Sequence, residues 1–285
     1  MRQYQDAGST VVVIPTYNEK DNLRPIVSRT QIAVPDANIL IVDDNSPDGT
    51  GVIADEMASG DERIHVLHGR GKSGLGTAYL AGFSWALDRG YDAIVEMDAD
   101  GSHDPAELPM LLAALADADL VIGSRWVTGG TVVNWPKSRE ILSRAGNAYS
   151  RHMLGVTTRD LTGGFRVYRA SALRRLDLGE VTSEGYCFQV DLAWRAHRAG
   201  LVIVEVPITF TERERGASKM SRAIVVEALW RVTQWSLQAK RRGMAALPEG
   251  GDRARHGRSE AGRKLLDGGY SAPIKERTPS PRHRR

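Results

Sequence analysis

The stretch AIVEMDADGSHDP, residues 93–105, decides how the rest of the chain is interpreted. Its apolar start predicts a buried strand, which is followed at once by Asp98 and Asp100, with His103 shortly beyond. In extended backbone, residues i and i+2 point the same way, so the two carboxylates would face one small volume. Two such charges repel unless a cation lies between them, and Mg²⁺ or Mn²⁺ favours oxygen ligands. The stretch therefore predicts either a divalent-metal site suited to a diphosphate or an ordinary solvated acidic turn.

Similar short apolar runs occur on both sides of this stretch and alternate with amphipathic segments. The apolar runs are residues 11–15, 39–44, 64–68 and 120–125, and residues 202–210 form a late one. The amphipathic segments lie near residues 19–33, 50–59, 74–89 and 105–116. Alternation of buried strands with helices predicts an α/β fold, in which helices flank a mostly parallel, doubly wound sheet.

Polar loops follow the first two predicted strands, at the sheet edge where such folds bind ligands. In PTYNE, residues 15–19, Asn18 is suited to cap the next helix and Tyr17 to stack on a base. In VDDNSPDGT, residues 42–50, a carboxylate could accept base N–H groups, although the same residues also make a plain turn. GRGKSGLGTA, residues 69–78, matches neither the P-loop nor the dinucleotide pattern in position, and predicts a helix N-terminus close to a diphosphate.

Basic residues accompany the later motifs. Arg125 follows the fifth strand, Arg139 and Ser143 lie one helical turn apart after Trp135-Pro136, and Arg213 and Lys219 flank a Gly-Ala-Ser triplet. Each could be a solvated surface charge, but their positions beside the motif loops favour phosphate binding, for which Arg is well suited.

Composition limits the class of protein. The chain has 285 residues, 41% of them hydrophobic, which suffices for one large α/β domain with appendages. The single cysteine, Cys187, excludes an internal disulfide and is interpreted as a small buried hydrophobic residue. No apolar run reaches the roughly 18 residues that span a bilayer and no signal pattern is present, so a cytoplasmic location is expected.

Four segments are predicted along the chain: a loose leader at 1–9, the catalytic α/β domain at 10–218, an amphipathic helix at 219–240 and a basic tail at 241–285. The helix has a narrow polar stripe and a wide apolar surface, which predicts packing on the domain or contact with a membrane surface. The tail has 12 Lys/Arg against 5 Asp/Glu and few aliphatic residues, which predicts disorder. Anionic lipid is one partner for such a tail, and we predict no nucleic-acid partner.

Taken together, PTYNE, VDDNSPDGT, GLGTA, MDADGSHDP, TGGFRVYR and EGYCFQ resemble, in order, the motifs of GT-A glycosyltransferases of the large inverting family 2. Within it, the resemblance is to dolichol/polyprenol-phosphate mannose synthases and covers about residues 10–235. It implies transfer of mannose from GDP-mannose to a polyprenyl phosphate lipid with inversion, Mg²⁺ or Mn²⁺ as cofactor, and work at the inner face of the membrane. An integral-membrane anchoring protein is a further partner that the resemblance leaves open.

The resemblance also implies residue roles. It assigns donor binding to Pro15, Tyr17, Glu19, Val42, Asp44, Asp98, Ala99, Asp100, Arg213 and Lys219. It assigns metal binding to Asp98, Asp100 and Ser102, and catalysis with acceptor binding to Asp100, Arg125, Arg139 and Ser143. Ser102 stands where the family often has Gln, and Cys187 where many relatives have Lys, which puts two contacts in question. His103 is expected to support the metal loop, with a general-base role as the alternative.

Three other functions remain open at this point. A polyprenyl-phosphate glucosyltransferase would keep the fold and take UDP-glucose. A sugar-nucleotide pyrophosphorylase would carry a Gly-rich loop where this chain has PTYNE. A non-catalytic, membrane-recruited nucleotide-sugar-binding protein would have no use for the acidic pair together with the distant arginines.

Overall fold

The computed structural model describes residues 8–181, 186–212, 222–241 and 270–271. The described strands are β1 Thr10–Thr16, β2 Asn38–Asp43, β3 Ile64–Gly69, β4 Ala93–Glu96, β5 Leu120–Ser124, β6 Thr131–Val133, β7 Arg166–Arg169, β8 Ile203–Pro207, β9 Thr209–Thr211 and β10 Tyr270–Ser271. The described α-helices are α1 Lys20–Ala33, α2 Thr50–Gly60, α3 Leu75–Asp88, α4 Leu108–Ala114, α5 Lys137–Leu154, α6 Ala170–Leu173, α7 Tyr186–Arg198 and α8 Arg222–Arg241.

Within the described residues, eight strands form one sheet in the order β10-β3-β2-β1-β4-β7-β5-β8. Strands β3, β2, β1 and β4 pair in parallel, and so do β5 and β8. The antiparallel strands are β7, inserted between β4 and β5, and β10 at the edge. A small second sheet pairs β6 with β9. The predicted α/β fold with a mostly parallel, helix-flanked sheet is confirmed.

Helices cover both faces of the sheet, which explains why its central strand β1 is buried and largely apolar on both faces. In β1, Val11 and Val13 belong to the cluster that includes α3 and α7, whereas Val12 and Ile14 belong to the cluster with α1 and α4. Helix α3 lies so close to the sheet that a Cβ atom on Gly82 would come within 2.5 Å of Val13 Cγ1. A side chain at that position would push α3 away from the strands whose ends form the site.

The sequence prediction of one strand at 202–210 was wrong in detail. Strand β8 ends at Pro207, and β9 begins at Thr209 in the other sheet. Ile208 makes the transition because its N–H donates to the carbonyl of Ser124, while its carbonyl accepts the N–H of Thr131. Strand β7 was not predicted.

Three described residues in the predicted leader and tail make defined contacts. Ser9, placed in the loose leader, donates its N–H and its hydroxyl to Asp92 Oδ2, each at 2.9 Å. Tyr270 and Ser271, placed in the disordered tail, form β10 and pair with Gly69 and His68. A buried aromatic ring and an available sheet edge thus hold these two residues, and the prediction of a disordered tail at 241–285 stays a prediction.

Helix α8 packs against α5 and α7, as the first of the two predictions for the 219–240 segment required. Val232 is buried in a cluster with Val190, Trp235 stacks on Trp194 at 5.8 Å, and Thr233 and Tyr149 share a hydrogen bond of 2.6 Å. Two large apolar side chains of the same helix, Trp230 and Leu237, are nevertheless 62% and 50% exposed. None of the described helices is long and apolar enough to cross a bilayer.

Candidate active site at the carboxyl edge of the sheet

The loops after β1 and β2 are tied together by side-chain caps. Asn18, predicted to cap α1, instead has a left-handed backbone with φ 61°. The first amides of the helix donate across to the second loop: Glu19 N–H to Thr50 Oγ1 at 3.0 Å and Lys20 N–H to Asp48 Oδ2 at 3.3 Å. The capping prediction for Asn18 was wrong because the neighbouring loop supplies better-placed oxygens.

The residues assigned to the donor's nucleoside lie around these two loops. Pro15 and Val42 are buried in β1 and β2, while Tyr17 and Glu19 are half-buried at the loop surface. The ammonium group of Lys72 lies 4.2 Å from the centre of the Tyr17 ring, a cation–π contact. Tyr17 therefore presents an aromatic face at the sheet edge, as a base-stacking role requires, and its assignment stays a prediction.

Asp44 is only 4% exposed, and the start of α3 surrounds its carboxylate. It accepts the Ser73 N–H at 2.8 and 2.9 Å, the Ser73 hydroxyl at 2.6 Å and the Gly74 N–H at 2.9 Å. Tyr270 adds a further hydroxyl at 3.0 Å. The amides that were expected to lie near a diphosphate thus bind Asp44, whose negative charge the helix N-terminus stabilises.

The acidic pair sits just beyond β4 on a tight loop. Asp98 and Asp100 are partly exposed, whereas Ala99 between them is buried, so the two carboxylates lie on the solvent side of the loop. Tyr79 donates its hydroxyl to Asp98 Oδ1 at 2.9 Å. Ser102 donates both its N–H, at 3.0 Å, and its hydroxyl, at 2.6 Å, to Asp100 Oδ1. Each carboxylate is therefore oriented by a neighbouring hydroxyl group.

His103 is buried beneath this loop. Its Nδ1 accepts the N–H of Asp98 at 3.2 Å, and its ring stacks on Phe165 with centroids 4.9 Å apart. Burial lowers the pKa of His103 to about 4, against the opposing effect of Asp100. The imidazole is accordingly neutral near pH 7, and its contacts match loop support rather than an exposed general base.

The fit of this loop to a divalent metal follows from its donors. No group of three His, Cys, Asp or Glu side chains that could enclose an ion occurs among the described residues. Asp98 and Asp100 offer two hard carboxylates on one side of the loop, which is how Mg²⁺ is commonly bound when substrate phosphates complete its coordination. The Ser102 hydroxyl donates its hydrogen bond to Asp100, and a metal ion bound by this hydroxyl would compete with that bond. The assignment of Ser102 as a metal ligand therefore stays a prediction.

Two motifs distant in the sequence converge on Asp98. A Cβ atom on Gly164, in TGGFRVYR, would lie 3.7 Å from Asp98 Oδ2, 3.7 Å from His103 and 3.6 Å from the side-chain nitrogen of Gln189. Gln189 belongs to EGYCFQ and lies on α7. Cys187 on the same helix is buried at 5% exposure and in no disulfide, as predicted.

Arg125, assigned to the acceptor, is held in a buried ion pair. Its Nε and Nη2 bind the two oxygens of Asp160 at 2.7 Å each, and Nη2 also donates to Thr162 at 2.8 Å. Arg125 is 5% exposed and Asp160 is fully buried. Burial alone would raise the pKa of Asp160, but the charge and hydrogen bonds of Arg125 lower it. Arg125 thus anchors the loop that contains Asp160 and Thr162, which the sequence did not indicate. Its role in acceptor binding stays a prediction.

Arg139 and Ser143 lie on α5, one turn apart, as predicted. The Arg139 guanidinium stacks over Trp135 at 4.0 Å and forms an ion pair with Glu212. Its Nε–H and the indole N–H groups of Trp126 and Trp135 are buried without an acceptor among the described residues. Buried donors of this kind are normally satisfied, so this aromatic cluster is suited to receive an anion.

Strand β9 joins the acidic loop to the basic cluster. Thr211 N–H donates to the carbonyl of Ser102 at 3.1 Å, and Phe210 contacts both His103 and Trp135 edge-on at 5.4 Å. Asp98, Asp100, Arg125 and Arg139 therefore belong to one connected region. Arg213 and Lys219 lie outside the described residues.

A cavity of about 360 Å³ lies beside Trp126 and α5. Its lining residues are Trp126, Arg144, Asn147, Ala148, Arg151 and Arg159. Arg144 stacks on Trp126 at 4.2 Å. Three arginines, Arg144, Arg151 and Arg159, are among the lining residues of this cavity.

Sequence reasoning missed several residues that shape the site: Tyr79, Asp160, Gln189 and Tyr270. Tyr79 is spaced as a core residue of α3. Asp160 lies two residues before TGGFRVYR, and Gln189 is the last residue of EGYCFQ. The TGGFRVYR and EGYCFQ motifs indicated that these parts of the chain belong to the site, but they did not indicate which side chains contact which.

Comparison with known proteins identifies the family to which this chain belongs. The family model described as glycosyl transferase family 2 matches residues 11–177. The chain belongs to glycosyl transferase family 2. This span contains the Asp44 loop, the acidic loop and Arg139, so family membership covers most of the site described above.

Two curated members of the family are close relatives. The chain is 57% identical over 233 residues to the polyprenol monophosphomannose synthase of Mycolicibacterium smegmatis, covering 81% of this chain and 88% of the relative. It is 56% identical over 236 residues to the undecaprenyl-phosphate mannosyltransferase of Micrococcus luteus, covering 83% and 97%. The fold is also similar to glucosyl-3-phosphoglycerate synthase of Mycobacterium tuberculosis, with TM-score 0.57, 21% identity and coverage of 87% and 84%, including a structure in complex with Mn²⁺, UDP and product.

Proposed function

We propose that this family 2 glycosyltransferase moves mannose from GDP-mannose to the phosphate of a polyprenyl lipid, giving the β-linked polyprenyl phosphate mannose. The observation that carries the proposal is that β9 connects a paired-carboxylate loop to a buried Arg–Trp cluster. Thr211 N–H binds the carbonyl of Ser102, and the neighbouring Phe210 contacts Trp135. One half suits a nucleotide diphosphate with its metal and the other suits an acceptor phosphate. The two relatives, named as a polyprenol monophosphomannose synthase and an undecaprenyl-phosphate mannosyltransferase, support the sugar and the lipid.

On the donor side, the Tyr17 ring and the Asp44 loop are assigned to the guanosine. Asp98, Ala99 and Asp100 are assigned to the diphosphate, together with Arg213 and Lys219. A divalent metal held by Asp98 and Asp100 would neutralise the charge that develops on the departing diphosphate. Tyr79 and Ser102 keep these carboxylates oriented for that role.

On the acceptor side, Arg139 and Arg125 both lie over the Trp135 ring, beside the indole N–H groups that have no acceptor among the described residues. Ser143 is assigned to the acceptor and lies one turn after Arg139 on α5. An acceptor phosphate is already anionic near pH 7, so it attacks the anomeric carbon without a strong general base. The protein's contribution is then to hold the phosphate in line with the sugar and to exclude water, which can supply several kcal/mol of the barrier. The neutral, buried His103 is consistent with such a mechanism.

The lipid acceptor requires the enzyme to work at a membrane surface. Trp230 and Leu237 are exposed apolar side chains on α8, a helix that packs on α5. We propose peripheral binding at the cytoplasmic face through this side of the molecule. An anchoring membrane protein would add to this contact.

The test is transfer of radiolabel into organic-extractable lipid with added polyprenyl phosphate, from GDP-mannose and, in parallel, from UDP-glucose. Reactions run with and without Mg²⁺ or Mn²⁺, and with Asp100→Ala. Asp36→Ala is the matched control, because Asp36 is exposed and precedes β2 at the opposite edge of the sheet.

We expect metal-dependent label from GDP-mannose, lost in Asp100→Ala and retained in Asp36→Ala. Label from UDP-glucose alone would overturn the mannose assignment and keep the reaction type. Nucleotide-sugar binding without transfer from either donor would favour a binding protein. Formation of nucleotide sugar from sugar phosphate would instead favour a pyrophosphorylase.

A further inference from the structure

Strand β10 brings a residue from the far end of the chain into the Asp44 pocket. Tyr270 pairs with Gly69 of β3, at the edge of the sheet, and its ring is 7% exposed. Its hydroxyl lies 3.0 Å from Asp44 Oδ1 and 2.7 Å from the hydroxyl of Ser73. Burial raises the pKa of Tyr270, so the hydroxyl stays protonated and acts as a donor.

With Tyr270 in place, the hydrogen-bonding capacity of Asp44 is filled. A carboxylate has about four lone-pair positions. Two N–H groups, of Ser73 and Gly74, and two hydroxyl groups, of Ser73 and Tyr270, surround the two oxygens of Asp44. A nucleobase N–H that binds Asp44 must therefore displace one of these donors.

The donors differ in how firmly the fold holds them. Ser73 and Gly74 lead directly into α3, whose Tyr79 and Phe83 are fully buried in the core. Moving them would disturb that packing. Tyr270 belongs to a two-residue strand that pairs only with the edge strand β3 in the described part of the chain. Withdrawal of Tyr270 would remove a buried ring and the two-residue pairing with β3, but it would leave the start of α3 in place.

We infer that β10 is a built-in competitor of the nucleotide: Tyr270 occupies the Asp44 pocket and must withdraw when the donor's base binds there. The inference rests on the proposed function, because it takes the Asp44 loop as the base site. Tyr270 then sets the apparent donor affinity, since binding is weakened by the fraction of molecules in which the pocket is occupied.

The test is calorimetric titration of the full-length chain with GDP in the presence of Mg²⁺. We expect Tyr270→Ala to bind GDP about tenfold more tightly than the wild type, because the competing group is gone. Tyr270→Phe keeps the ring and loses the hydroxyl, so its gain should be about threefold. Tyr91→Phe is the matched control, because Tyr91 stacks on Trp85 near the start of β4, at the opposite sheet edge.

A second readout follows Tyr270 itself. Hydrogen exchange of the peptide that contains residues 270–271 should become faster when the full-length chain is saturated with GDP. The competitor role is overturned if Tyr270→Ala binds GDP equally or more weakly than the wild type. It is also overturned if exchange of that peptide becomes slower on saturation. Either result would make Tyr270 part of the nucleotide-binding site. If the wild type neither binds GDP nor transfers mannose, the proposed function itself fails and the inference falls with it.

Discussion

The hydroxyl of Tyr79 donates a 2.9 Å hydrogen bond to Asp98 Oδ1, linking the most buried part of α3 to the acidic loop. Tyr79 is fully buried, and its ring stacks parallel to Phe188 on α7 with centroids 6.1 Å apart. Burial and the charge of Asp98 raise the pKa of Tyr79 well above its usual range, so the group remains a donor at any working pH. The orientation of the Asp98 carboxylate is thereby fixed by a side chain that is itself immobilised by packing.

The first prediction is that Tyr79→Phe weakens metal binding more than it weakens folding. Loss of a hydrogen bond to a ligating carboxylate typically lowers metal affinity by about 10–100-fold. We expect the Mn²⁺ concentration for half-maximal transferase activity to rise at least about tenfold. Activity at saturating metal should recover most of the wild-type value.

Tyr91→Phe serves as the control for this variant, because it removes a hydroxyl far from the acidic loop. Direct Mn²⁺ binding, followed by electron paramagnetic resonance, separates a metal effect from a donor effect. An unchanged Mn²⁺ affinity in Tyr79→Phe would contradict the role of Tyr79 in orienting Asp98.

The second prediction concerns Ser102. Its hydroxyl orients Asp100 at 2.6 Å, whereas the resemblance made it a metal ligand. Ser102→Ala should raise the half-saturating metal concentration about three- to tenfold, because Asp100 loses one of its orienting bonds. Ser59→Ala, a hydroxyl on the surface of α2, is the control. The check is the steady-state rate measured over a metal titration. If wild type and Ser102→Ala gave equal titration curves, Ser102 would neither orient Asp100 nor bind the metal.

Much of the fold follows from local pattern. Strands β1 to β5 were predictable because runs such as Val11–Ile14 are apolar on both faces, which only a covered parallel sheet requires. The acidic loop was predictable because Asp98 and Asp100 end such a run. In both cases the information lies within a few neighbouring residues.

The rest depends on contacts between distant segments. Strand β7, RVYR, resembles a surface segment, yet Arg166 is fully buried because its guanidinium donates to the carbonyls of Leu161, Gly163 and Gln189. Those acceptors exist only after folding. The same holds for Asp160, whose partner Arg125 is 35 residues away, and for Tyr270, which is 226 residues from Asp44.

The third prediction is that the Arg125–Asp160 pair is required for stability. Asp160→Asn leaves the buried guanidinium without its counter-charge, which typically costs about 3–5 kcal/mol. We expect the free energy of unfolding at pH 7 to fall by that order in urea titrations. Asp117→Asn, an exposed carboxylate, should change it by less than about 0.5 kcal/mol. Equal stability of Asp160→Asn and the wild type would show that the pair is dispensable.

The fourth prediction gives the same pair a pH signature. The pKa of Asp160 is lower in the folded protein than its ordinary value of 3.8, so the unfolded chain binds the proton more readily. The stabilisation is therefore complete above about pH 5 and is lost as the pH falls through the folded pKa, below 3.8. The stability difference between the wild type and Asp160→Asn should shrink between pH 5 and pH 3. A constant difference over that range would exclude an ionic origin.

The fifth prediction concerns the membrane contact. Trp230 and Leu237 lie seven residues apart on α8, hence on one face, and both are largely exposed. Burial of a large apolar side chain is worth about 1.5–3 kcal/mol, so Trp230→Gln combined with Leu237→Gln should lower partitioning into phosphatidylglycerol-containing vesicles at least about tenfold. Ile32→Gln is the control, because Ile32 is 81% exposed on α1 and not on α8.

Co-sedimentation at high salt isolates this apolar contribution from the attraction of basic residues to anionic lipid. Stability should be unchanged in the double variant, since neither side chain is buried. Transfer to a short, water-soluble polyprenyl phosphate should also be retained, whereas transfer to a long-chain acceptor in vesicles should fall in parallel with binding. Undiminished vesicle binding by the double variant would place the membrane contact elsewhere on the molecule.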